Sequence, residues 1–272
     1  MAEIIGILGG MGPEATCDLF HKIIRVTVRF KPVVRDQDHL RVIVDSNPLI
    51  PDRTAAILGN GEDPVPALQE TARNLERAGA GLIAVPCNTA HYFWDQIQAA
   101  ARIPVLHMMQ EVARALAADE PGPGGPGGLN PGVTRVGLLA TTATVRTGLY
   151  HRALGARGMQ LVVPDAARQE SVMEAISRVK RGDLEGARQP LVAAARALEA
   201  AGAEAIIEGC TEIPLVLRDR DVGVPLLDAT WVLAAAAVRT ALGQGIAGHP
   251  RTAAPGQPAG SDPGTPAAGC TD

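Results

Sequence analysis

Short apolar runs alternate with amphipathic segments along most of the chain. After the first run, Leu19, Ile23 and Val26 recur at helical spacing, which predicts a helix with one buried face. The runs are too short for helices and are predicted to be buried strands. Strands that alternate with helices in this way predict an α/β fold with mostly parallel sheets. The predicted strands are residues 3–8, 40–45, 82–85 and 104–106 in the first half, and 135–140, 160–163, 204–207 and 224–227 in the second. The main predicted helices are residues 13–29, 64–78, 90–101, 109–118, 169–181, 184–201 and 229–242.

A segment rich in Pro and Gly, residues 119–132, divides the chain into two halves. It has no periodicity, and we expect a flexible surface insertion. The strand and helix pattern then begins again. We therefore predict a first α/β domain at 1–118 and a second at 133–222, with 223–243 returning to the first. Residues 244–272 are Gly, Pro, Ala, Thr and Ser without a pattern, and we expect a disordered tail.

The charge distribution argues against several partners. The net charge is −4 and no block of like charge occurs, so neither nucleic acid nor an anionic membrane surface is indicated. No run of eighteen apolar residues is present, so no membrane span is expected. The first residues lack a basic region and a cleavage site, and we expect a cytoplasmic location.

Two cysteines stand in matching positions in the two halves. Cys87 and Cys210 each follow an apolar run, and each is followed by Thr or Asn-Thr and a predicted helix. Neither belongs to a C-x-x-C pair or to a cluster with zinc spacing, so no metal site is predicted. Ligands of parallel sheets bind beyond the carboxyl ends of the strands. Since 9–11 and 141–144 also lie at such ends, we expect one site shared between the halves.

A cysteine at a helix start faces backbone N–H groups and the positive end of the helix dipole. Both are expected to lower the pKa of the thiol toward neutrality. One such thiol suggests a nucleophile. Two thiols on opposite sides of a pocket suit proton removal from one face of a carbon and proton delivery to the other. This chemistry requires no cofactor, and free N–H groups at the helix starts would hold a carboxylate.

Three segments resemble the signatures of the aspartate/glutamate racemase family. They are IGILGGMGPEAT at 5–16, PCNTAH at 86–91 and GCTEIPL at 209–215. The first is more similar to aspartate racemases than to the cell-wall glutamate racemases. The resemblance spans about residues 4–242. It implies two pseudo-symmetric domains, each with a central mostly parallel sheet flanked by helices, and an active site between them. It also implies cofactor-independent racemisation and a homodimer.

The resemblance assigns roles to particular residues. Cys87 and Cys210 match the two proton-transfer cysteines, and the substrate it implies is a small dicarboxylic amino acid. Two cations in a pocket would select a second carboxylate over a neutral side chain. The residues that the resemblance implies for substrate binding are Met11 at the glycine-rich turn, Asn88, Thr89 and Thr211 for the α-carboxylate and amine, and Arg53 and Lys180 for the side-chain carboxylate.

Some features leave alternatives open. Ala143 stands where the family often has Gly, and Glu208 where an apolar residue is usual. Glu208 either raises the pKa of Cys210 or points away. His91 either polarises the Cys87 thiol or serves in capping and packing, and Cys17 is expected to be a core thiol. The alternative functions are a hydantoin racemase, a maleate-type isomerase or an arylmalonate-type decarboxylase, or a non-catalytic nucleotide-binding protein that uses the Gly9 turn.

Overall fold

The structure, a computed structural model, describes residues 2–117 and 132–244. The flexible insertion expected at 119–132 falls on residues outside this part of the chain except for Gly132. The disordered tail expected at 244–272 likewise falls outside it except for Gln244.

The first half forms a three-stranded parallel sheet in the order β2-β1-β3. The central strand β1 is buried at every position, which explains why its sequence is a continuous apolar run. The strands are β1 (Ile5–Gly9), β2 (Val42–Ser46) and β3 (Leu82–Ala84). The helices are α1 (Pro13–Phe30), α2 (Arg53–Ile57), α3 (Val65–Arg77), α4 (Trp94–Ala100) and α5 (Met108–Ala117).

The second half forms a four-stranded parallel sheet in the order β5-β4-β6-β7. Its strands are β4 (Arg135–Ala140), β5 (Gln160–Val162), β6 (Ala205–Gly209) and β7 (Leu226–Asp228). Its helices are α6 (Thr142–Arg146), α7 (Leu149–Gly155), α8 (Ala166–Lys180), α9 (Leu184–Ala200) and α10 (Ala229–Ala241). The predicted α/β class with two parallel sheets is confirmed. In each sheet the strand that leads to the cysteine, β3 or β6, pairs with the first strand of its half.

The last segment of the described chain connects the two halves. Strand β7 pairs with β6 in the second sheet, whereas α10 packs against α1 and α5 beside the first. Residues Ala234–Ala237 of α10 are buried, and their small side chains allow neighbouring helices to pack closely against it. The side chain of Lys22 on α1 also forms an ion pair of 2.5 Å with Asp228 at the end of β7. The domain boundaries given above remain a prediction.

Some local predictions are wrong. The strand expected at 104–106 is a single bridge between Ile83 and Val105. The helix expected at 90–101 begins as a 3-10 helix at Thr89–Phe93 and becomes α-helical only in α4. Cys17 is exposed, because it lies beside the buried face of α1 rather than on it. Over the two described ranges, no helix has both the length and the apolar character needed to cross a membrane.

Candidate active site

A pocket lies where the strand ends of the two sheets meet. All eight residues that the sequence analysis assigned to the site line it. From the first half these are Met11, Arg53, Cys87, Asn88 and Thr89, and from the second half Lys180, Cys210 and Thr211. Four further residues complete the lining: Asp52, Thr54, Thr141 and Glu212.

Cys87 is held by a tight turn after β3. Its N–H donates to the Val85 carbonyl at 2.8 Å, and its own carbonyl accepts from Ala90 at 3.2 Å. The thiol is nearly buried, with 7% of the residue exposed. The turn therefore fixes the direction of the Cys87 side chain at the pocket wall.

His91 supports this turn from behind. Its Nδ1 lies 2.9 Å from the Cys87 carbonyl oxygen and its Nε2 lies 3.4 Å from that of Leu106. Burial lowers the pKa of His91 to about 4, with a smaller contribution from His107, so the imidazole is neutral near pH 7. Because its ring bonds to the cysteine carbonyl, the geometry favours the packing role for His91 over polarisation of the thiol.

Cys210 has a different electrostatic environment. Its Sγ donates to Oε2 of Glu212 at 2.9 Å, and Oγ1 of Thr211 donates to the same oxygen at 3.3 Å. Burial raises the pKa of Cys210 well above its ordinary value, and the charge and hydrogen bond of Glu212 raise it further. Lys180 and the Glu212 N–H act in the opposite direction and are outweighed.

The expected lowering of both thiol pKa values is therefore wrong for Cys210. Only a three-residue 3-10 helix, Ile213–Leu215, follows it, and so short a helix has a small dipole. The neighbouring Glu212 carboxylate also opposes ionisation of the thiol. The structure thus keeps Cys210 as a thiol near neutral pH.

Glu208 lies in β6, because this strand extends two residues further than predicted. It is 4% exposed and pairs in register with Asp228 of β7. Burial first, and Asp228 second, raise the pKa of Glu208 well above its ordinary value. The carboxylate hydrogen-bonded to the Cys210 thiol is that of Glu212 and not that of Glu208.

Three buried hydroxyl groups join the halves at one side of the pocket. Thr89 Oγ1 lies 3.1 Å from that of Thr141 and 3.0 Å from that of Thr144. The latter two are 3.0 Å apart, so the three groups form a closed triangle, which we call the threonine triangle. Thr141 also accepts from the Thr144 N–H as the N-cap of α6. The triangle fixes the strand ends of the two sheets against one another.

The Arg53 guanidinium is held by backbone carbonyl groups. Its Nη1 donates to Ile50 at 3.0 Å and to Pro51 at 2.9 Å, and its Nη2 donates to Met11 at 3.3 Å. A guanidinium has five N–H groups, so two are left for a ligand. One of these is at Nε, which is buried without a partner in the described structure. Lys180, at the end of α8, is exposed.

The sequence analysis did not assign four lining residues to the site: Asp52, Thr54, Thr141 and Glu212. Glu212 lies within the motif that contains Cys210, and Thr141 lies at a strand end that the sequence analysis had noted. Their positions in the sequence could therefore have indicated that they belong to the site. Nothing in the sequence indicated Tyr150, whose hydroxyl donates to Asn88 Oδ1 at 2.6 Å. Among the residues that the structure describes, no group of three or more His, Cys, Asp or Glu side chains could hold a metal ion.

Fold and pocket together define a two-sheet α/β protein with a thiol from each half in one site. The sequence model of the Asp/Glu/hydantoin racemase family matches residues 8–237. The chain therefore belongs to this family, as its motifs predicted, and it is an isomerase of the racemase class.

Individual relatives agree with this assignment. The broad specificity amino-acid racemase RacX of Bacillus subtilis is 27% identical over 241 residues, which is 88% of this chain and 98% of the relative. The aspartate racemase of Picrophilus torridus is 31% identical with a TM-score of 0.75, over 88% of this chain and 94% of that one. A putative Asp/Glu racemase from Yersinia pestis is 28% identical with a TM-score of 0.70, over 88% and 99% of the two chains.

Proposed function

We propose that the protein interconverts the L and D enantiomers of aspartate, and of glutamate as a second substrate, without a cofactor. The observation that carries this proposal is that Cys87 and Cys210 line one pocket from equivalent strand ends of the two halves. Two thiols in this arrangement suit acid–base chemistry on the two faces of one α-carbon.

The proton transfer assigns opposite starting roles to the thiols. Cys87, as thiolate, removes the α-proton from one face, and the electron pair of the broken C–H bond moves into the adjacent carboxylate. The Cys210 S–H then delivers its proton to the opposite face. Cys87 is left as thiol and Cys210 as thiolate, and the reverse reaction restores the starting state. The hydrogen bond to Glu212 supports this assignment because it favours the protonated form of Cys210.

Donors around the pocket would stabilise the charge that develops on the α-carboxylate. Asn88, Thr89 and Thr211 line the pocket with amide and hydroxyl groups. Such donors act most strongly where water is excluded, and all three residues are buried. This supports the roles that the family resemblance implied for them.

The cations of the pocket support a dicarboxylic substrate. Within the described part of the chain, Arg53 keeps two N–H groups free after its three bonds to carbonyl oxygens, which suits a carboxylate. Lys180 adds a second positive charge to the pocket lining. The named activity of the Picrophilus torridus relative agrees with aspartate. The Bacillus subtilis relative is named a broad specificity racemase, so neutral amino acids are the main alternative substrates.

The proposal is tested by incubating L-aspartate, L-glutamate, L-alanine and an L-hydantoin in D₂O with the purified protein. We expect α-deuteration and the D-enantiomer for the dicarboxylic amino acids, and loss of racemisation in Cys87→Ala and in Cys210→Ala. The exposed Cys17 provides the matched control, since Cys17→Ala should keep full activity. Full activity in either pocket variant would contradict the two-thiol mechanism, and turnover of a hydantoin alone would assign the other branch of the family.

A homodimer and a cytoplasmic location remain predictions. Light scattering of the purified protein measures the oligomeric state directly. Fluorescence imaging of the tagged protein in its own cell tests the location.

A further inference from the structure

Tyr150 does not line the pocket, but its hydroxyl forms a hydrogen bond with Asn88, which does. It lies on α7 with 1% of the residue exposed, and it belongs to the core cluster that includes Met109 of α5. Its hydroxyl donates to Oδ1 of Asn88 at 2.6 Å, across the boundary between the two halves. Packing on all sides fixes the direction of this hydroxyl.

The hydroxyl of Tyr150 remains protonated throughout the physiological range. Burial raises the pKa of Tyr150 far above its ordinary value, and the negative charge of Asp228 acts in the same direction. The group therefore acts as a permanent donor toward the Asn88 oxygen.

The opposite end of the Asn88 amide has no hydrogen-bond partner among the described residues. Nδ2 is buried and makes no hydrogen bond within the described structure, although Asn88 lines the pocket and is only 3% exposed. A buried N–H without an acceptor is unfavourable, because it has lost its hydrogen bond to water. An acceptor oxygen of a ligand in the pocket would remove this penalty.

The bond to Tyr150 also decides which end of the amide is free. An asparagine amide presents an acceptor on one side and donors on the other. If the amide were reversed, Nδ2 would meet the tyrosine oxygen, while the tyrosine proton and Oδ1 would both lose their partner. The observed orientation leaves fewer buried groups unpaired and keeps the donor available.

We propose that Tyr150 is a positioning residue that holds the Asn88 amide so that its N–H groups meet a carboxylate oxygen of the substrate. This inference rests on the proposed function, because it takes the ligand to be an amino acid. Tyr150 does not contact the ligand itself. Its removal would free the amide to turn and to present an oxygen that repels the carboxylate.

The test is a double-mutant cycle of Tyr150→Phe and Asn88→Ala, measured as racemisation of L-aspartate. We expect Tyr150→Phe to raise KM roughly tenfold while kcat changes less than about threefold. This is the effect expected for the loss of one oriented hydrogen bond to the bound substrate. In the Asn88→Ala background the same change should have almost no further effect, because the amide it orients is absent. The other tyrosine provides the control, since Tyr92 is half exposed and Tyr92→Phe should behave as wild type.

The outcomes separate the two proposals. Losses that multiply in the double variant, or wild-type kinetics of Tyr150→Phe, would overturn the role of Tyr150 while leaving the racemase intact. A wild-type protein that racemises no amino acid would overturn the proposed function itself. If Tyr150→Phe fails to fold, NMR of the wild type decides: the Asn88 side-chain amide signals, identified by their loss in Asn88→Ala, should shift on addition of L-aspartate. Unchanged signals at saturating L-aspartate would overturn the inference.

Discussion

The thiol of Cys210 donates a hydrogen bond of 2.9 Å to the carboxylate of Glu212, two residues further along the chain. The two cysteines of the pocket are therefore equivalent in sequence context but not in electrostatics. The Glu212 carboxylate favours the proton on Cys210, and in the proposed mechanism this asymmetry selects the thiol that begins as the acid.

Replacing Glu212 by Gln should make the Cys210 thiol easier to ionise, because the change removes the negative charge that favours the protonated form. Alkylation by iodoacetamide at pH 7.5, followed by peptide mass spectrometry, reports the thiolate of each cysteine separately. We expect Cys210 to react at least about threefold faster than in the wild type. The exposed Glu170 serves as control, as Glu170→Gln should leave the rate unchanged. An unchanged rate in Glu212→Gln would contradict the assignment.

Replacing Arg53 by Ala should impair dicarboxylic substrates most. Hydrogen bonds to a charged group contribute about 1.5–3 kcal/mol, so kcat/KM for aspartate should fall about 10- to 100-fold. Any activity on alanine should change less than about threefold, since alanine has no second carboxylate. Arg157 is exposed, and Arg157→Ala serves as the control because it removes a cation outside the pocket. Equal decreases in kcat/KM for aspartate and alanine would contradict a role of Arg53 in substrate specificity.

Replacing Thr144 by Val should break the threonine triangle without changing the side-chain volume much. Two buried hydroxyl groups, those of Thr89 and Thr141, would each lose a partner at 3.0 Å. We expect a loss of about 1–3 kcal/mol in the free energy of unfolding. Chemical denaturation measures it, and Thr144→Ser, which keeps the hydroxyl, should lose much less. Equal stability of the Val variant and the wild type would show that the triangle contributes little.

Replacing Glu208 by Gln should stabilise the protein at high pH. Burial and Asp228 raise the pKa of Glu208 in the folded state, so the unfolded chain ionises this group first as the pH increases. The folded state then loses stability above the unfolded pKa of about 4.3, whereas Gln does not ionise. We expect the unfolding midpoint of the variant at pH 8 to exceed that of the wild type by at least about 2 °C, and the difference to vanish near pH 4. The exposed control is Glu62→Gln, which should show no difference at either pH.

Acidification should destabilise the protein through His91. Its pKa is lowered to about 4 in the folded state, so the unfolded chain binds the proton first as the pH falls below about 6.5. Stability that is present above pH ~6.5 is lost as the pH falls toward 4, by up to about 3 kcal/mol. His91→Asn should therefore show a weaker dependence of unfolding free energy on pH between 6.5 and 4 than the wild type. The exposed His151→Asn should follow the wild-type curve, and identical curves for all three proteins would contradict the prediction.

The sequence by itself determined the architecture and eight of the twelve residues that line the pocket. Apolar runs and helical periodicity predicted the strands of both sheets, because burial on both faces leaves no polar alternation in a strand. Position at a strand end predicted that Cys87 and Cys210 contribute to a site, since ligands of parallel sheets bind beyond the carboxyl ends of the strands. The two cysteines follow strands of different sheets, so the packing of one sheet against the other brings them to one pocket. The prediction of a strand at 104–106 was wrong because a short apolar run does not show how many of its residues will pair with a neighbouring strand.

Only the tertiary structure decided the electrostatics and the orientation of the site. Glu212 follows Cys210 closely in sequence, but whether a carboxylate bonds to a thiol depends on the turn that places it. The bond from Tyr150 to Asn88 and the threonine triangle join residues from different halves of the chain, at distances that local sequence does not encode. Burial also reverses the expectation for Cys210, because desolvation depends on everything packed around a thiol and not on the residues beside it.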